Sequence, residues 1–182
     1  YIKTLAKGSA SATNNLSMYV DLRDGVKLNG VAKVTTANVA ASNGVVHIVD
    51  AVIDLPNIVT FAKSNPDFST LLSVLTRTDM TDFAGILSGA GPFTVFAPNN
   101  TAFGKLSTEF GVAGLAGINT AILENILKYH VVANANVLSS SLTEGQKFTT
   151  FQGGTFTIGL TGGAKITDLN NRISNIVAVD VQ

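Results

Sequence analysis

The fold is decided by the stretch Pro92-Phe93-Thr94-Val95-Phe96-Ala97-Pro98-Asn99-Asn100-Thr101-Ala102-Phe103, which reads as a strand that turns directly into a helix. Aromatic and β-branched residues alternate in its first half, a pattern that favours a pleated strand. Pro98 ends the strand because proline has no backbone donor. Either Asn99 or Asn100 then caps a helix by accepting a hydrogen bond from a free amide of the first turn. Phe103 is predicted to point inward from that helix.

Two further stretches stand out on either side of this corner. An apolar run with a turn signal at its start is Asn43-Gly44-Val45-Val46-His47-Ile48-Val49-Asp50-Ala51-Val52-Ile53-Asp54-Leu55-Pro56, and an apolar helix ends at Leu127-Lys128-Tyr129-His130-Val131-Val132. With the corner, they resemble the opening box, the closing box and the intervening Tyr-His stretch of the fasciclin domain. Three long matches make the resemblance specific. The closing box, however, precedes the opening box in this chain.

The resemblance implies a non-catalytic module at the cell surface or outside the cell, which binds cells, surface or matrix proteins, or polysaccharide. In the family, the Tyr-His pair is linked to structural integrity and, in some animal members, to integrin binding. This makes Tyr129 and His130 candidate binding residues. The other signature positions are expected to be structural, namely Thr94, Val95, Phe96, Ala97, Pro98, Asn99, Phe103, Asn43, Gly44, His47 and Asp50.

The composition limits the classes of function. A chain of 182 residues with 46% hydrophobic and 13% charged residues suits one packed domain, or one and a part. A formal net charge of +0 disfavours nucleic acid as a partner, and the absence of Cys excludes disulfides and thiolate metal sites. No apolar run approaches the ~18–20 residues that cross a bilayer. No signal peptide is visible at Tyr1, so an exported protein would carry its targeting segment outside this sequence.

The periodicity predicts an α+β fold with segregated elements. Residues 1–55 read as strands, residues 56–133 as helices and the remainder as strands again. This order favours a twisted sandwich or wedge with the helices packed along one edge, as in the fasciclin fold. The run from Val45 to Ile53 is apolar on both sides and is predicted to be covered on two faces. Helix starts are predicted at Pro56, Asn65-Pro66, Asp79 and Ile118, and a final strand is predicted from Ile176 to Val181.

The two β segments can be aligned with each other. The paired stretches are Leu5-Ala6-Lys7-Gly8 with Leu142-Thr143-Glu144-Gly145, Ala32-Lys33-Val34-Thr35 with Ala164-Lys165-Ile166-Thr167, and Ala37-Asn38-Val39 with Val179-Asp180-Val181. Residues 1–55 are therefore interpreted as the C-terminal β part of one fasciclin-like domain. Residues 56–182 are interpreted as the next domain of a tandem array without its final strand pair. Alternatively, residues 43–55 complete the fold of residues 56–182, within the chain or by strand exchange between chains.

Catalysis and metal binding find little support in the residue pattern. Both His residues are predicted to be hydrogen-bonded core or half-buried side chains, and Asp50 a buried acceptor. Ser73 and Thr101 are nucleophiles by type, but no spacing links them to a base. No catalytic residue, metal site or cofactor is expected. Two alternatives to adhesion stay open: a structural accessory subunit of a surface or envelope complex, and a carrier of a small apolar ligand or lipid.

Overall fold

The first fifty residues form only strands and turns, as predicted. In the computed structural model, which describes residues 1–181, β1 (Ile2–Lys7) pairs antiparallel with β2 (Asn15–Met18). A separate four-stranded antiparallel sheet follows the order of the chain. Its strands are β3 (Val20–Asp21), β4 (Lys27–Leu28), β5 (Ala32–Ala41) and β6 (Gly44–Val49).

The predicted turn residues join these strands, except that the turn between β5 and β6 lies one residue earlier than predicted. Asn29 and Gly30 lie between β4 and β5 with φ of 47° and 68°, the left-handed backbone that tight hairpins need. Between β5 and β6, Ala41 pairs with Gly44, so the turn consists of Ser42 and Asn43. Gly44 was expected in the turn and instead opens β6.

Five helices occupy the middle of the chain: α1 (Ile58–Ser64), α2 (Ser69–Leu75), α3 (Phe83–Ser88), α4 (Asn100–Glu109) and α5 (Thr120–Tyr129). Three single turns of 3₁₀ helix accompany them at Pro66–Phe68, Leu115–Gly117 and Ser139–Ser141. Asparagine side chains cap α1, the first 3₁₀ turn, α4 and α5. The capping residues are Asn57, Asn65, Asn99 and Asn119.

The predicted cap of α3 was wrong. Asp82 Oδ1 accepts a hydrogen bond from Gly85 N at 2.8 Å, so Asp82 and not Asp79 is the N-cap. Asp79 instead accepts from the Arg77 guanidinium at 2.7 Å. The helix starts later than predicted because Phe83, the first residue after the cap, is almost fully buried.

The helices share one hydrophobic core. Leu72 is half-buried and Ile122 is exposed, because Val74 and Leu123 take the inward positions of their helices. The buried members are Ala62, Leu71, Val74, Leu75, Phe83, Leu87, Phe103, Ile118, Leu123, Leu127 and Val131.

The remaining strands complete the α+β architecture. β7 (Phe93–Val95) pairs antiparallel with β8 (Val131–Ala133). A four-stranded sheet in the order β12-β11-β10-β9 follows, with a second core of Val132, Phe156 and Ile158 beneath it. Its strands are β9 (Lys147–Thr149), β10 (Thr155–Gly159), β11 (Lys165–Thr167) and β12 (Ile173–Asn175).

The final strand lies earlier than predicted. Asp168 Oδ1 accepts from the backbone N of both Asn170 and Arg172, which closes a tight turn after β11. Asn171 adopts a φ of 58° in this turn. The turn places Ile173–Asn175 opposite β11. The prediction of a strand from Ile176 to Val181 is therefore wrong.

The hairpin of β5 and β6 is not covered on two faces. Val45, Val46 and Ile48 are all exposed, which contradicts the prediction of a doubly buried strand. Within the described residues β6 pairs only with β5, and residues 43–55 pair with no strand of residues 56–181.

The N-terminal strands contact the helical region at a defined joint. The Tyr1 ring lies 5.2 Å from the Tyr19 ring and 5.9 Å from the Phe61 ring, measured between centroids. Gly30 approaches α1 so closely that a Cβ at this position would lie 2.9 Å from Ser64 Cα. The joint therefore depends on a small residue in the turn after β4.

Candidate contact site at the end of helix α5

The strand-to-helix corner is fixed by the Thr94 hydroxyl. β7 pairs Thr94 with Val132, and the Thr94 side chain lies next to the chain that leaves β8. Thr94 Oγ1 donates to Ala135 O at 2.9 Å and accepts from Val137 N at 2.8 Å. One hydroxyl thus satisfies two backbone groups of an irregular segment that has no ladder partners of its own.

The helix after the corner begins at one of the two predicted caps. Asn99 Oδ1 accepts from Ala102 N at 2.9 Å, so Asn99 is the cap. Asn100 has a different role, because its Oδ1 accepts from Thr70 N and its Nδ2 donates to Pro66 O, both at 2.9 Å. The two asparagines therefore cap α4 and tie it to the start of α2.

The other apolar residues of the opening box pack in two different cores. Val95 and Phe103 pack in the core of the helices. Phe96 lies edge-on against Phe156 at 5.0 Å, in the core below the C-terminal sheet. Of the two residues that follow Phe96, Ala97 is exposed and Pro98 is half-buried.

Tyr129 is held from two sides. Its hydroxyl donates to Thr155 O at 2.5 Å, and its ring lies 6.4 Å from the Phe156 ring. A Cβ on Gly154 would lie 3.0 Å from Tyr129 Cε2, so the loop before β10 rests directly on the ring. Burial raises the pKa of the Tyr129 phenol, which keeps it a neutral donor.

His130 ends α5 with its ring turned back onto the helix. Nδ1 lies 2.8 Å from Ile126 O, and only an N–H can pair with a carbonyl, so Nδ1 donates. The backbone of His130 accepts from Phe96 N at 2.9 Å, which links the Tyr-His stretch to the opening box. Burial lowers the pKa of the imidazole, so the neutral ring is favoured.

The lowered pKa of His130 makes stability depend on pH. In the unfolded chain the pKa returns to about 6.5, so below that pH the unfolded state binds the proton more readily. We expect the urea concentration at the midpoint of unfolding to decrease as the pH is lowered from about 7.5 to about 5.5. Carboxylates with ordinary or lowered pKa values stay ionised in this range. The slope cannot exceed about 1.4 kcal/mol per pH unit for one proton.

Two variants distinguish the contribution of His130 to this pH dependence from that of other titrating groups. His130→Asn should be less stable at the upper pH and show a flatter pH dependence than the parent chain. His47→Asn serves as the control, because His47 is exposed in the hairpin and belongs to neither hydrophobic core. A slope that disappears in His47→Asn and persists in His130→Asn would contradict the assignment.

A short loop lies on the Tyr-His stretch, and we call residues 150–154 the Phe151 loop. Phe151 N donates to Val131 O at 2.7 Å, and Gln152 N donates to Lys128 O at 3.2 Å. Thr150 N donates to Gly154 O at 2.8 Å and closes the loop. The loop displays the Phe151 side chain, which is 46% exposed. Phe151 was not predicted as a site residue from the sequence. The pattern that could have indicated it is an aromatic residue two positions before a Gly-Gly turn.

The closing-box residues lie in the hairpin instead. His47 Nδ1 accepts from Asn38 N at 3.2 Å, and Asp50 Oδ1 accepts from Lys33 N at 2.7 Å. Both side chains are exposed, so the predictions of a core or half-buried His47 and a buried Asp50 were wrong. Asp50 is an acceptor for a backbone amide, as predicted, but on an open surface. Their partners belong to β5, and those of Tyr129 and His130 to residues 126–155.

Residues 1–181 offer little to other kinds of site. No three His, Cys, Asp or Glu side chains there are grouped as metal ligands. Clefts of about 200 and 340 Å³ lie where the start of the chain meets residues 178–181 and residues 138–140. None of the helices described in that range is long and apolar enough to cross a membrane.

Comparison with known proteins gives one consistent result. The family model of the fasciclin domain matches residues 2–56 and 66–182. Human periostin is 30% identical over 174 residues, which cover 91% of this chain and 20% of periostin. The aurofusarin biosynthesis cluster protein S of Gibberella zeae is 36% identical over 126 residues, 65% of this chain and 30% of that protein. The chain thus spans less than a third of either relative.

A solved structure agrees with the fold. The structure of a FAS1 domain pair from the insect cell adhesion molecule fasciclin I superposes with a TM-score of 0.59 at 21% identity. The match covers 92% of this chain and 62% of that one. The likeness supports the α+β fold predicted from the sequence. Because the family model matches almost the entire sequence, the chain belongs to the fasciclin domain family.

Proposed function

We propose that this chain is a non-catalytic binding module that works at the cell surface or outside the cell. Its partners are surface or matrix proteins or polysaccharide. The observation that carries the proposal is the match of the fasciclin domain to two segments that together span nearly the whole chain. Fold similarity to a domain pair from a cell adhesion molecule supports it.

We further propose that residues 1–55 are the closing β part of one fasciclin-like domain and residues 56–182 the following domain without its closing strand pair. The division of the family match between residues 56 and 66 supports this boundary. A tandem arrangement suits adhesion, because linked weak sites gain affinity through effective concentration.

The contact site that the geometry favours is the Phe151 loop on the Tyr-His stretch. The Tyr129 hydroxyl and His130 Nδ1 are both engaged inside the protein, and the Tyr129 ring supports the loop at Gly154. Phe151 is the part that a partner would touch. A large aromatic side chain on a fixed backbone is a typical anchor of protein interfaces, because little conformational freedom is lost on binding.

The test compares two aromatic residues of similar exposure. Phe151 is 46% exposed, and Phe110, which follows α4, is 42% exposed. Beads coated with the chain would be detached under flow from a collagen layer and from a cellulose layer. Phe151→Ala is expected to weaken adhesion at least about fivefold, or ~1 kcal/mol, with an unchanged melting temperature. Phe110→Ala should bind like the parent chain.

The outcomes separate the contact site from the general function. Equal adhesion of both variants and the parent would reject the Phe151 loop as the contact site. No adhesion of the parent chain to either layer would count against the adhesive role. A stoichiometric protein that stays bound through purification would favour an accessory subunit. An apolar ligand found by native mass spectrometry would favour a carrier, although the cleft of about 200 Å³ lies below the ~300 Å³ lower limit of common ligand sites and the cleft of about 340 Å³ lies only just above it.

A further inference from the structure

The chain contains two Asn-Gly pairs, Asn29-Gly30 at the turn between β4 and β5 and Asn43-Gly44 at the turn between β5 and β6. Asparagine is one of the thermolabile residues of proteins, because the backbone nitrogen of the next residue can attack its side-chain amide carbon. Glycine permits this attack most readily, since it has no Cβ to obstruct the ring and its backbone is conformationally free. How firmly the fold holds each pair therefore decides whether it reacts.

The fold holds the first pair firmly. Asn29 is only 5% exposed. Its Oδ1 accepts from Tyr19 N at 2.8 Å, and its own backbone N donates to Tyr19 O at 2.9 Å. Gly30 lies so close to α1 that a Cβ would be 2.9 Å from Ser64 Cα. The Gly30 nitrogen cannot approach the Asn29 side chain unless this joint opens, so the first pair is protected.

The second pair lies at the exposed tip of the hairpin of β5 and β6. Asn43 is exposed, and its side chain makes no hydrogen bond within residues 1–181. Apart from its chain neighbours, no atom of the described chain lies within 4 Å of the place that a Cβ on Gly44 would take. Gly44 pairs with Ala41 at the last rung of the ladder. The attacking nitrogen is therefore released when the end of the hairpin frays, with no change in either core.

The two turns also differ in backbone geometry. Asn29 and Gly30 have φ of 47° and 68°, which matches the twist of the flanking strands. Ser42 and Asn43 are not among the described residues with a positive φ. A two-residue turn without positive φ fits the twist of a hairpin less well. Moreover, β6 has only β5 as a described partner, so no second strand holds its end in place.

We propose that Asn43 is a site of spontaneous deamidation, through which the hairpin of β5 and β6 acquires a negative charge and a longer turn. The Gly44 backbone nitrogen attacks Asn43 Cγ, and the side-chain nitrogen leaves as ammonia with the proton that the backbone nitrogen gives up. Water then opens the cyclic imide by breaking one of its two C–N bonds. Cleavage on the side-chain branch gives aspartate, and cleavage on the main-chain branch gives isoaspartate. One water is consumed and one ammonia is released.

The products change the hairpin in two ways. Both add a carboxylate next to an apolar strand, in a chain with a formal net charge of +0. Isoaspartate also routes the main chain through the former side-chain methylene, so the turn gains one backbone atom. The turn fixes the register of a hairpin, so the longer turn should disrupt the rungs nearest to it, Ala41 with Gly44 and Ala40 with Val45. The proposal is independent of the Phe151 loop and of any adhesive partner.

Ageing the full chain for several days at mildly alkaline pH tests the proposal. Peptide mapping by mass spectrometry locates each conversion of an amide to a carboxyl group. A carboxyl methyltransferase specific for β-aspartyl residues, supplied with a labelled methyl donor, reports isoaspartate. Asn43 should convert at least about tenfold faster than Asn29, the factor that an opening free energy of ~1.4 kcal/mol at Asn29 gives. Equal rates at the two asparagines would overturn the proposal.

Two variants test the ring mechanism. Gly44→Ala adds a Cβ in open space, at a backbone outside the left-handed region, and should slow the conversion of Asn43 to about the rate of Asn29. Asn43→Gln should abolish the conversion at this position, because the longer side chain must close a larger ring. An unchanged rate in Gly44→Ala, or aspartate formed without isoaspartate, would contradict attack by the Gly44 nitrogen.

The effect on the hairpin is measured on the converted chain, which anion exchange separates by its additional negative charge. Amide hydrogen exchange should be faster in residues 40–45 of the isoaspartate form than in the parent chain. Exchange in β1 and β2 serves as the internal control and should stay the same, because these strands form a separate sheet. Unchanged exchange in residues 40–45 would overturn the inferred loosening of the hairpin.

Discussion

Phe103→Ala is expected to lower the free energy of unfolding by about 3–5 kcal/mol, the largest effect of any substitution discussed for this chain. Phe103 is only 3% exposed and belongs to the core that joins the helices to β8. Truncation removes the transfer energy of the ring and leaves a cavity that rigid neighbours do not fill. A protein of this size would lose roughly 2–4 °C of melting temperature per kcal/mol.

The matched control lies at the end of the same helix. Phe110 is the C-cap residue of α4 and is 42% exposed, so Phe110→Ala should change stability by no more than about 1 kcal/mol. Urea unfolding followed by circular dichroism measures both variants, and the denaturant slope shows whether unfolding stays two-state. Similar losses for the two variants would mean that α4 does not anchor the corner through Phe103.

The corner is also the part of the fold that the sequence predicts best. Asn99 caps α4 and Phe103 is buried, because each property depends on a local rule. The strand, however, ends at Val95, three residues before the Pro98 that was predicted to end it. The cap of α3 was missed because two aspartates lie three residues apart and both suit a helix start. The choice between Asp79 and Asp82 depends on which register buries Phe83, and that is a tertiary property.

The candidate site shows the same division between local and tertiary information. Resemblance to the family pointed to Tyr129 and His130, while the position of Phe151 before the Gly-Gly turn was too weak a signal to identify a contact residue. The Phe151 loop is held by backbone hydrogen bonds to carbonyls of residues 128 and 131, and such bonds leave no side-chain pattern in the sequence. The exposure of His47 and Asp50 was missed for a related reason. An apolar strand is predicted to be buried, but its actual burial depends on which other surface packs against it.

Gly30→Ala is expected to destabilise the protein by about 2–4 kcal/mol, through two effects that a control can separate. Gly30 has a φ of +68°, where any Cβ costs about 1–2 kcal/mol. The new Cβ would also lie 2.9 Å from Ser64 Cα, in the backbone of α1. A backbone atom cannot rotate away as a side chain does, so the turn and the helix must move apart.

Gly25→Ala isolates the first effect. Gly25 has a φ of +74°, but the nearest atom to a new Cβ is the flexible Lys33 Cε at 3.4 Å. Thermal and urea unfolding of both variants should show a loss of about 1–2 kcal/mol for Gly25→Ala and a clearly larger loss for Gly30→Ala. Equal losses would mean that only the backbone conformation matters. The N-terminal strands would then contribute little through their contact with α1, and the joint between the two parts of the chain would rest on the rings of Tyr1, Tyr19 and Phe61.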